Sequence, residues 1–175
     1  MIENILTRRS IRKYTSRPVE EEKLIEILKS AQYAPSAVNK QPWHFLVVDD
    51  KDLFKKIMKI HPHSKMLSTA SHAIIVLGDE KLQHDVGYWI ADCGAATQNI
   101  LLAAHSLGIG SCWVGLYPRE QRMKDISEIF DLPSHVKPFA LISLGYADEK
   151  KMHPERFNKR KVFRNKWNNP FWHEL

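Results

Sequence analysis

The stretch from Tyr88 to Gly115, YWIADCGAATQNILLAAHSLGIGSCWVG, constrains this chain more than any other. No Lys or Arg occurs between Lys81 and Arg119, and the acids in that span are Asp85 and Asp92 alone. A helix without a charged face is normally buried all round. Between Tyr88 and Leu107 apolar and small residues recur at helical spacing. Ile90, Cys93, Ala96, Ile100, Ala103 and Leu107 mark one side, and Ala91, Ala95 and Leu102 another. The small side chains let other backbones approach closely. Asp92, Gln98, Asn99 and His105 make the segment too polar to span a membrane, and Gly108 stops it. It reads as a soluble core helix that also packs against a second subunit. SCWVG then reads as a short buried strand or loop. A buried helix leading into a glycine-bounded backbone segment suits a flat ligand.

A chain of 175 residues fits one domain, 1–175, with a real core. Its 43% hydrophobic and 26% charged content excludes disorder. The N-terminus MIENILTRRS carries charge where a signal peptide is apolar, and no apolar run is long enough to cross a bilayer. The expectation is a cytoplasmic protein without a membrane segment. Cys93 and Cys112 lie in the most apolar region and read as reduced core residues. The net charge of +6 is uneven. Arg8, Arg9, Arg12, Lys13 and Arg17 form one basic cluster, and the tail from Lys150 to Lys166 holds the other. Two basic ends suit one shared anion such as a phosphate, two solvated faces, or a nucleic-acid footprint. Charge alone leaves these open. His61 and His63 flank Pro62 with no third ligand at a recognised spacing, so no metal site is expected.

The remaining elements follow in order. Ile2 to Thr7 reads as a short helix. RPVEEEKLIEILKSAQYAP is a helix opened by Pro18 and three acids, with Leu24, Ile27, Leu28 and Ala31 as its apolar stripe. SAVNKQPW is a polar, turn-rich loop, which on its own reads as a connector. HFLVVDD and HAIIVLGDE are strands, KDLFKKIMKI is an amphipathic helix between them, and HPHSKMLSTAS is a loop with a short helix. LYPREQRMKDISEIFDLP is a helix with Pro118 at its start, and HVKPFALISLGYAD is a strand. This alternation suggests a central mixed sheet with helices on its faces. The tail, about 149–175, is too short for a domain. Its Phe157, Phe163, Trp167, Phe171 and Trp172 need a surface to cover, on their own subunit or a partner's. Neither GxGxxG after a strand nor GxxxxGK[ST] occurs, and GxSxG is absent too.

RRSIRKY, then APSAVNKQPWHFLVV, then DCGAATQNILLAAHSLGIGSCWVG, with RFNKRKVFRNKW in the tail, run in the order seen in the nitroreductase family of flavin enzymes. Along nearly its whole length the chain resembles the short, single-domain members of that family. The resemblance implies an α+β nitroreductase fold, with a mixed central sheet flanked by helices. It implies an interlocked homodimer whose C-terminal tail wraps the partner, with one FMN per subunit in two interface sites. Arg8 and Ser10, with Arg9 nearby, match the phosphate ligands, and charge-assisted partners suit a dianion. Arg12 matches the basic residue near flavin N1 and O2. Arg156 matches a tail residue that closes on the phosphate, with Arg160 as second candidate. Pro35, Ser36, Ala37, Asn39 and Gln41 match the loop given by the other subunit. Trp113, Val114 and Gly115 match the backbone under the isoalloxazine. Lys65 falls in the loop where some members place a Lys or Asn. The implied reaction takes hydride from NADH or NADPH onto flavin N5 and passes it to a nitroaromatic, quinone or enone in a ping-pong cycle. It needs no catalytic acid, base or nucleophile from the chain. Two other readings are a flavin-binding sensor or store without turnover, and a basic nucleic-acid-binding protein using the tail.

Overall fold

HAIIVLGD and VKPFALISLG are nearly unbroken apolar runs, which is what a strand covered on both faces requires. In the computed structural model, which describes residues 2–172, they are the two central strands of one sheet. Strands β1 (Trp43–Val48), β2 (His72–Asp79), β3 (Gly110–Gly115) and β4 (Val136–Gly145) stand in the order β1-β2-β4-β3. Helices α1 (Ile2–Thr7), α2 (Glu21–Gln32), α3 (Lys51–Ile60), α4 (Val86–Ser106) and α5 (Glu120–Ile129) flank it. Ile74 and Val76 of β2 and Ile142 and Leu144 of β4 face α2 and α4. Ala73, Ile75 and Leu141 face the other way, with Phe54 and Ile57 of α3 and Ile126 of α5. Both clusters are closed to water, and at about 25 cal/mol per Å² of apolar surface such burial dominates folding.

The sheet's four strands all pair antiparallel, whereas the alternation of elements suggests a mixed sheet. The loop after α3 explains the difference. Lys51, at the start of α3, donates to the carbonyl of Ala70 (2.6 Å), two residues before β2. The loop has therefore carried the chain back to the end of the sheet where β1 left it, and β2 returns antiparallel. Among the described residues parallel pairing is confined to a single bridge between Ser10 and Ser111 of β3.

Local signals place the helices. Asp50 caps α3 by accepting from the amides of Asp52 (2.7 Å) and Leu53 (3.2 Å). Leu24, Ile27 and Ala31 of α2 are buried, with Leu28 packed beside them. Pro118 precedes α5, which begins at Glu120. Helix α4 ends at Gly108, whose φ of 74° suits glycine. Cys93 and Cys112 are free and buried, and burial pushes the Cys93 thiol up to about 12. Among the described residues no helix is long and apolar enough to cross a membrane.

α4 is not buried all round. Trp89, Cys93, Ala96, Ile100 and Ala104 are buried against the sheet and α2. On the opposite side Tyr88 is 54% exposed, and Ala91 and Gln98 are open. A sheet and one helix cover only one side of a cylinder. The uncovered side is the uncharged one. The tail is also open. From Glu149 it holds one helical turn, Lys159–Lys161, while Phe157 and Trp167 are 62% and 80% exposed. Residues 173–175 of that tail lie outside the described residues.

Gly78 tests how tightly α4 sits on the sheet. A Cβ there would lie 2.3 Å from Trp89 Cε3, and Trp89 is buried. Gly78→Ala should lower stability by about 1–3 kcal/mol, read as an earlier midpoint in guanidinium unfolding. An unchanged midpoint would show that the indole is free to move.

Candidate functional site

Three segments supply the predicted site residues. The first is the N-terminal strand-like stretch. Ile11 N–H donates to Ser111 O (2.9 Å), laying residues 8–12 along the free edge of β3. Tyr14 anchors the stretch. Its ring packs where Gly145 has no side chain, and its hydroxyl donates to Ile11 O (2.6 Å) and lies 2.7 Å from Ser143 Oγ. Ser10 bridges Ser111 on β3, next to the buried Cys112. Burial raises the Cys112 pKa, opposed by Arg12, a hydrogen bond from Ser10, and Arg8. Arg8 is itself pushed down, first by burial and then by Arg156 and Arg9 beside it. Three guanidinium groups thus crowd one place. Arg9 is partly committed there, donating to Leu6 O (2.8 Å), Arg8 O (2.6 Å) and Met152 O (3.0 Å). It clasps the tail to the N-terminus. Arg160 donates its amide to Asn158 Oδ1 on an exposed turn.

The second segment is the end of β3. Cys112 and Val114 point into the core, while Trp113 is 37% exposed and stacks obliquely on Phe139, with centroids 5.8 Å apart. Arg12 and Lys65 line one cavity of about 410 Å³, with Pro62, His63, Met66 and Ser68. Lys65 therefore belongs with Arg12, which spacing alone leaves unsettled. Among the described residues no group of three His, Cys, Asp or Glu side chains converges as a metal site.

The third segment, Pro35–Gln41, lies elsewhere. It is held by Asp92 of α4, whose Oδ1 accepts from Ala37 N–H (3.0 Å). Ser36 Oγ accepts from Gln41 N–H (2.9 Å), and Gln41 donates to Asn39 Oδ1 (3.1 Å). Val38, Asn39 and Gln41 have φ of 52°, 54° and 49°. The left-handed region is tolerated by Asn but strained for a β-branched Val, and such strain concentrates at functional loops. Asp92 Oδ2 and Trp89 Nε1, one turn apart on α4, are buried without a hydrogen-bond partner. Asp92 was legible as one of two acids in the uncharged stretch, but spacing gave no hint of its partner.

The two halves stand apart in one chain. The N-terminal segment meets α4 at Leu102 and His105, through Asn4 (2.9 Å) and Thr7 (2.9 Å). The loop meets α4 at Asp92. At ~1.5 Å per residue that stretch of helix is about 20 Å long. The structure sets Ser10 against β3, which carries Trp113, Val114 and Gly115, puts Arg9 and Arg156 beside Arg8, and joins Arg12 with Lys65 in one cavity, while Pro35, Ser36, Ala37, Asn39 and Gln41 lie in the loop held at Asp92 of α4.

Comparison with known proteins identifies the family to which the chain is similar. The profile of the Nitroreductase family matches residues 5–69 and 61–146. A candidate NADH dehydrogenase/NAD(P)H nitroreductase of Archaeoglobus fulgidus is 48% identical over 167 residues, covering 93% of this chain and 96% of that protein. Among solved structures, an FMN-dependent nitroreductase from Clostridium difficile R20291 superposes with a TM-score of 0.89 at 37% identity, covering 95% of this chain and 100% of that one. A candidate nitroreductase from Desulfovibrio desulfuricans, solved in complex with FMN, gives a TM-score of 0.83 at 26% identity, covering 95% of this chain and 96% of that one.

Asp92→Ala removes the acceptor that holds the strained loop. A hydrogen bond to a charged group contributes ~1.5–3 kcal/mol, so amide exchange at Ala37 and its neighbours should accelerate by about tenfold or more. Unchanged exchange there would mean that the loop holds its own shape.

Proposed function

The chain belongs to the nitroreductase family, and from that premise we propose that it is an FMN-dependent oxidoreductase using NADH or NADPH. The observation that carries the reading is the placement of the basic N-terminal segment, which Ile11 N–H fixes on β3 at Ser111 O (2.9 Å) and which Arg9 ties to the basic tail at Met152 O (3.0 Å); Arg8 there is pushed down first by burial and then by Arg156 and Arg9. Like charges brought together need an anion, and a terminal phosphate meets guanidinium groups through charge-assisted bonds. A cavity of about 410 Å³ walled by Arg12, Lys13 and Lys65, which follow Arg8 in the same motif or lie in the loop after α3, offers room and positive charge for the rest of such a cofactor.

Arg8, Ser10 and Arg156 would hold the phosphate, with Arg9 fixing the tail beside them. Arg12 and Lys65 bring positive charge to the cavity wall, which favours an electron-rich ring and raises its reduction potential. Trp113, Val114 and Gly115 offer a backbone floor, where the glycine permits close approach. The chemistry that FMN supplies when bound is two-electron transfer from the nicotinamide to a small acceptor such as a nitroaromatic, quinone or enone, the two substrates using one pocket in turn.

We further infer a homodimer. Tyr88, Ala91, Ala95, Gln98 and Leu102 recur at alternating three- and four-residue steps along the open face of α4, a seam suited to a second helix. Ile2, Ile5 and Leu6 of α1 are 70%, 52% and 63% exposed, and the tail's aromatics add to that apolar surface. A twofold partner would bring its own Pro35–Gln41 loop, which in one chain is held at Asp92 of α4, to the Arg12 cavity. The free, buried cysteines suit a reducing compartment, which supports the cytoplasm.

The test is the visible spectrum of the purified protein, with identification of the chromophore released by heat. FMN at about one per chain is expected under the twofold arrangement, with bleaching by NADH or NADPH and recovery on adding a quinone or nitro compound. Colourless protein that takes up no added FMN contradicts the proposal. Arg8→Ala should weaken FMN retention by about tenfold or more, as loss of a charge-assisted bond. Arg12→Ala should instead lower the reduction potential, measured by equilibrium dye titration.

A further inference from the structure

In sequence, His61 stands out only beside His63, as a weak metal pair. The structure gives it a different task. It follows α3 directly and is 2% exposed. Its ring joins the end of β3 to the loop that lines the Arg12 cavity. Nε2 lies 3.0 Å from Gly115 O, and Nδ1 lies 3.2 Å from the amide nitrogen of His63. A carbonyl oxygen accepts only, so Nε2 carries the proton. A backbone N–H donates only, so Nδ1 does not. The ring is therefore the neutral Nε2–H form with both nitrogens engaged.

The surroundings favour that form. Burial lowers the His61 pKa, and Arg122 of α5 and His63 push in the same direction, against the Gly115 carbonyl. The His61 carbonyl also accepts from Ser64 N–H (3.1 Å) and Ser64 Oγ–H (2.8 Å), which shapes the turn entering Lys65–Ser68. Gly115, the last residue of β3, is paired with Ala140 of β4, and its carbonyl accepts from His61 Nε2 at 3.0 Å and, more weakly, from Arg122 Nη1 at 3.5 Å. Pro62, His63 and Lys65 line the cavity shared with Arg12.

We propose that His61 is a positioning residue of the cofactor site, its one buried ring holding Gly115 at the end of β3 and the His63–Lys65 wall in fixed relation. The inference rests on the FMN reading given above and adds a regulatory consequence. A second proton on Nδ1 would face the His63 N–H, so that bond is lost while Nε2–H to Gly115 O survives. Acid thus releases the Lys65 wall first. For a histidine whose pKa is lowered by folding, the contribution is complete above the ordinary value of about 6.5 and disappears as pH falls through the folded value.

The test compares FMN affinity and flavin midpoint potential for the full chain, His61→Gln and His61→Leu, from about pH 5 to about pH 8. A glutamine amide supplies an N–H to Gly115 O and does not titrate. Expected are a loss of affinity of about tenfold for the unaltered chain on the acid side, and no such limb in His61→Gln. His61→Leu should bind about tenfold more weakly at every pH and shift the potential. The inference is overturned if His61→Gln keeps the same acid limb, or if His61→Leu keeps the unaltered affinity and potential. If His61→Leu does not fold, the glutamine comparison decides alone. An unaltered chain that binds no FMN at any pH takes down the FMN reading and this inference together. An FMN-binding chain whose variants behave identically takes down the positioning role alone.

Discussion

One side of α4 is committed to the core, and the other is uncharged and open. Most of what this chain does depends on that asymmetry. Trp89, Cys93, Ala96, Ile100 and Ala104 lock the helix to the sheet. Asp92 near one end holds the strained loop, and Leu102 and His105 near the other hold the N-terminal segment. The helix is thus a spacer of fixed length between two sets of ligand-binding groups. An apolar surface of this extent is costly to leave in water, and a second copy offers a matching one by symmetry. The proposed dimer therefore satisfies two demands with one contact. It covers the open face, and it would join the two groups of candidate residues, which meet α4 at Asp92 and, through Asn4 and Thr7, at Leu102 and His105.

Electrostatics follow the same division. The cations are concentrated on the β3 side, where Arg8, Arg9 and Arg156 are close enough to oppose one another. The loop side offers uncharged donors and acceptors, Ser36, Asn39 and Gln41, in an unusual backbone shape. A phosphate-bearing, flat, polar-edged ligand suits the pair better than either alone.

Much of the fold was legible in the sequence because its signals are local. The opening Pro18 and acids of α2, its stripe Leu24–Ile27–Ala31 and the glycine stop at Gly108 each act within a turn or two of their own position. The sheet's direction was not legible, since it depends on the loop closed by Lys51 and Ala70, a contact that no periodicity records. The site divides the same way. Arg8, Ser10 and Arg12 sit in a recognisable motif, and Ser10 does bridge Ser111 on β3. Lys65 and Asp92 acquire meaning only through partners distant in sequence, Arg12 and Ala37. The reading of α4 as a core helix that also meets a second subunit leaves open how much of its cover comes from its own chain, because a run of uncharged residues is the same in either case, and the structure shows that one side is left open.

Complementation between two defective chains tests the central claim most directly. One chain carries Arg8→Ala and Arg12→Ala, the other Asn39→Ala and Gln41→Ala, and each alone should retain little FMN. If the site is built from two subunits, unfolding and refolding them together restores one intact site in each mixed dimer, about a quarter of all sites at equal input. Recovery near that level is the predicted result. Mixed dimers that form but bind no more FMN than the separate variants would contradict a site shared between chains.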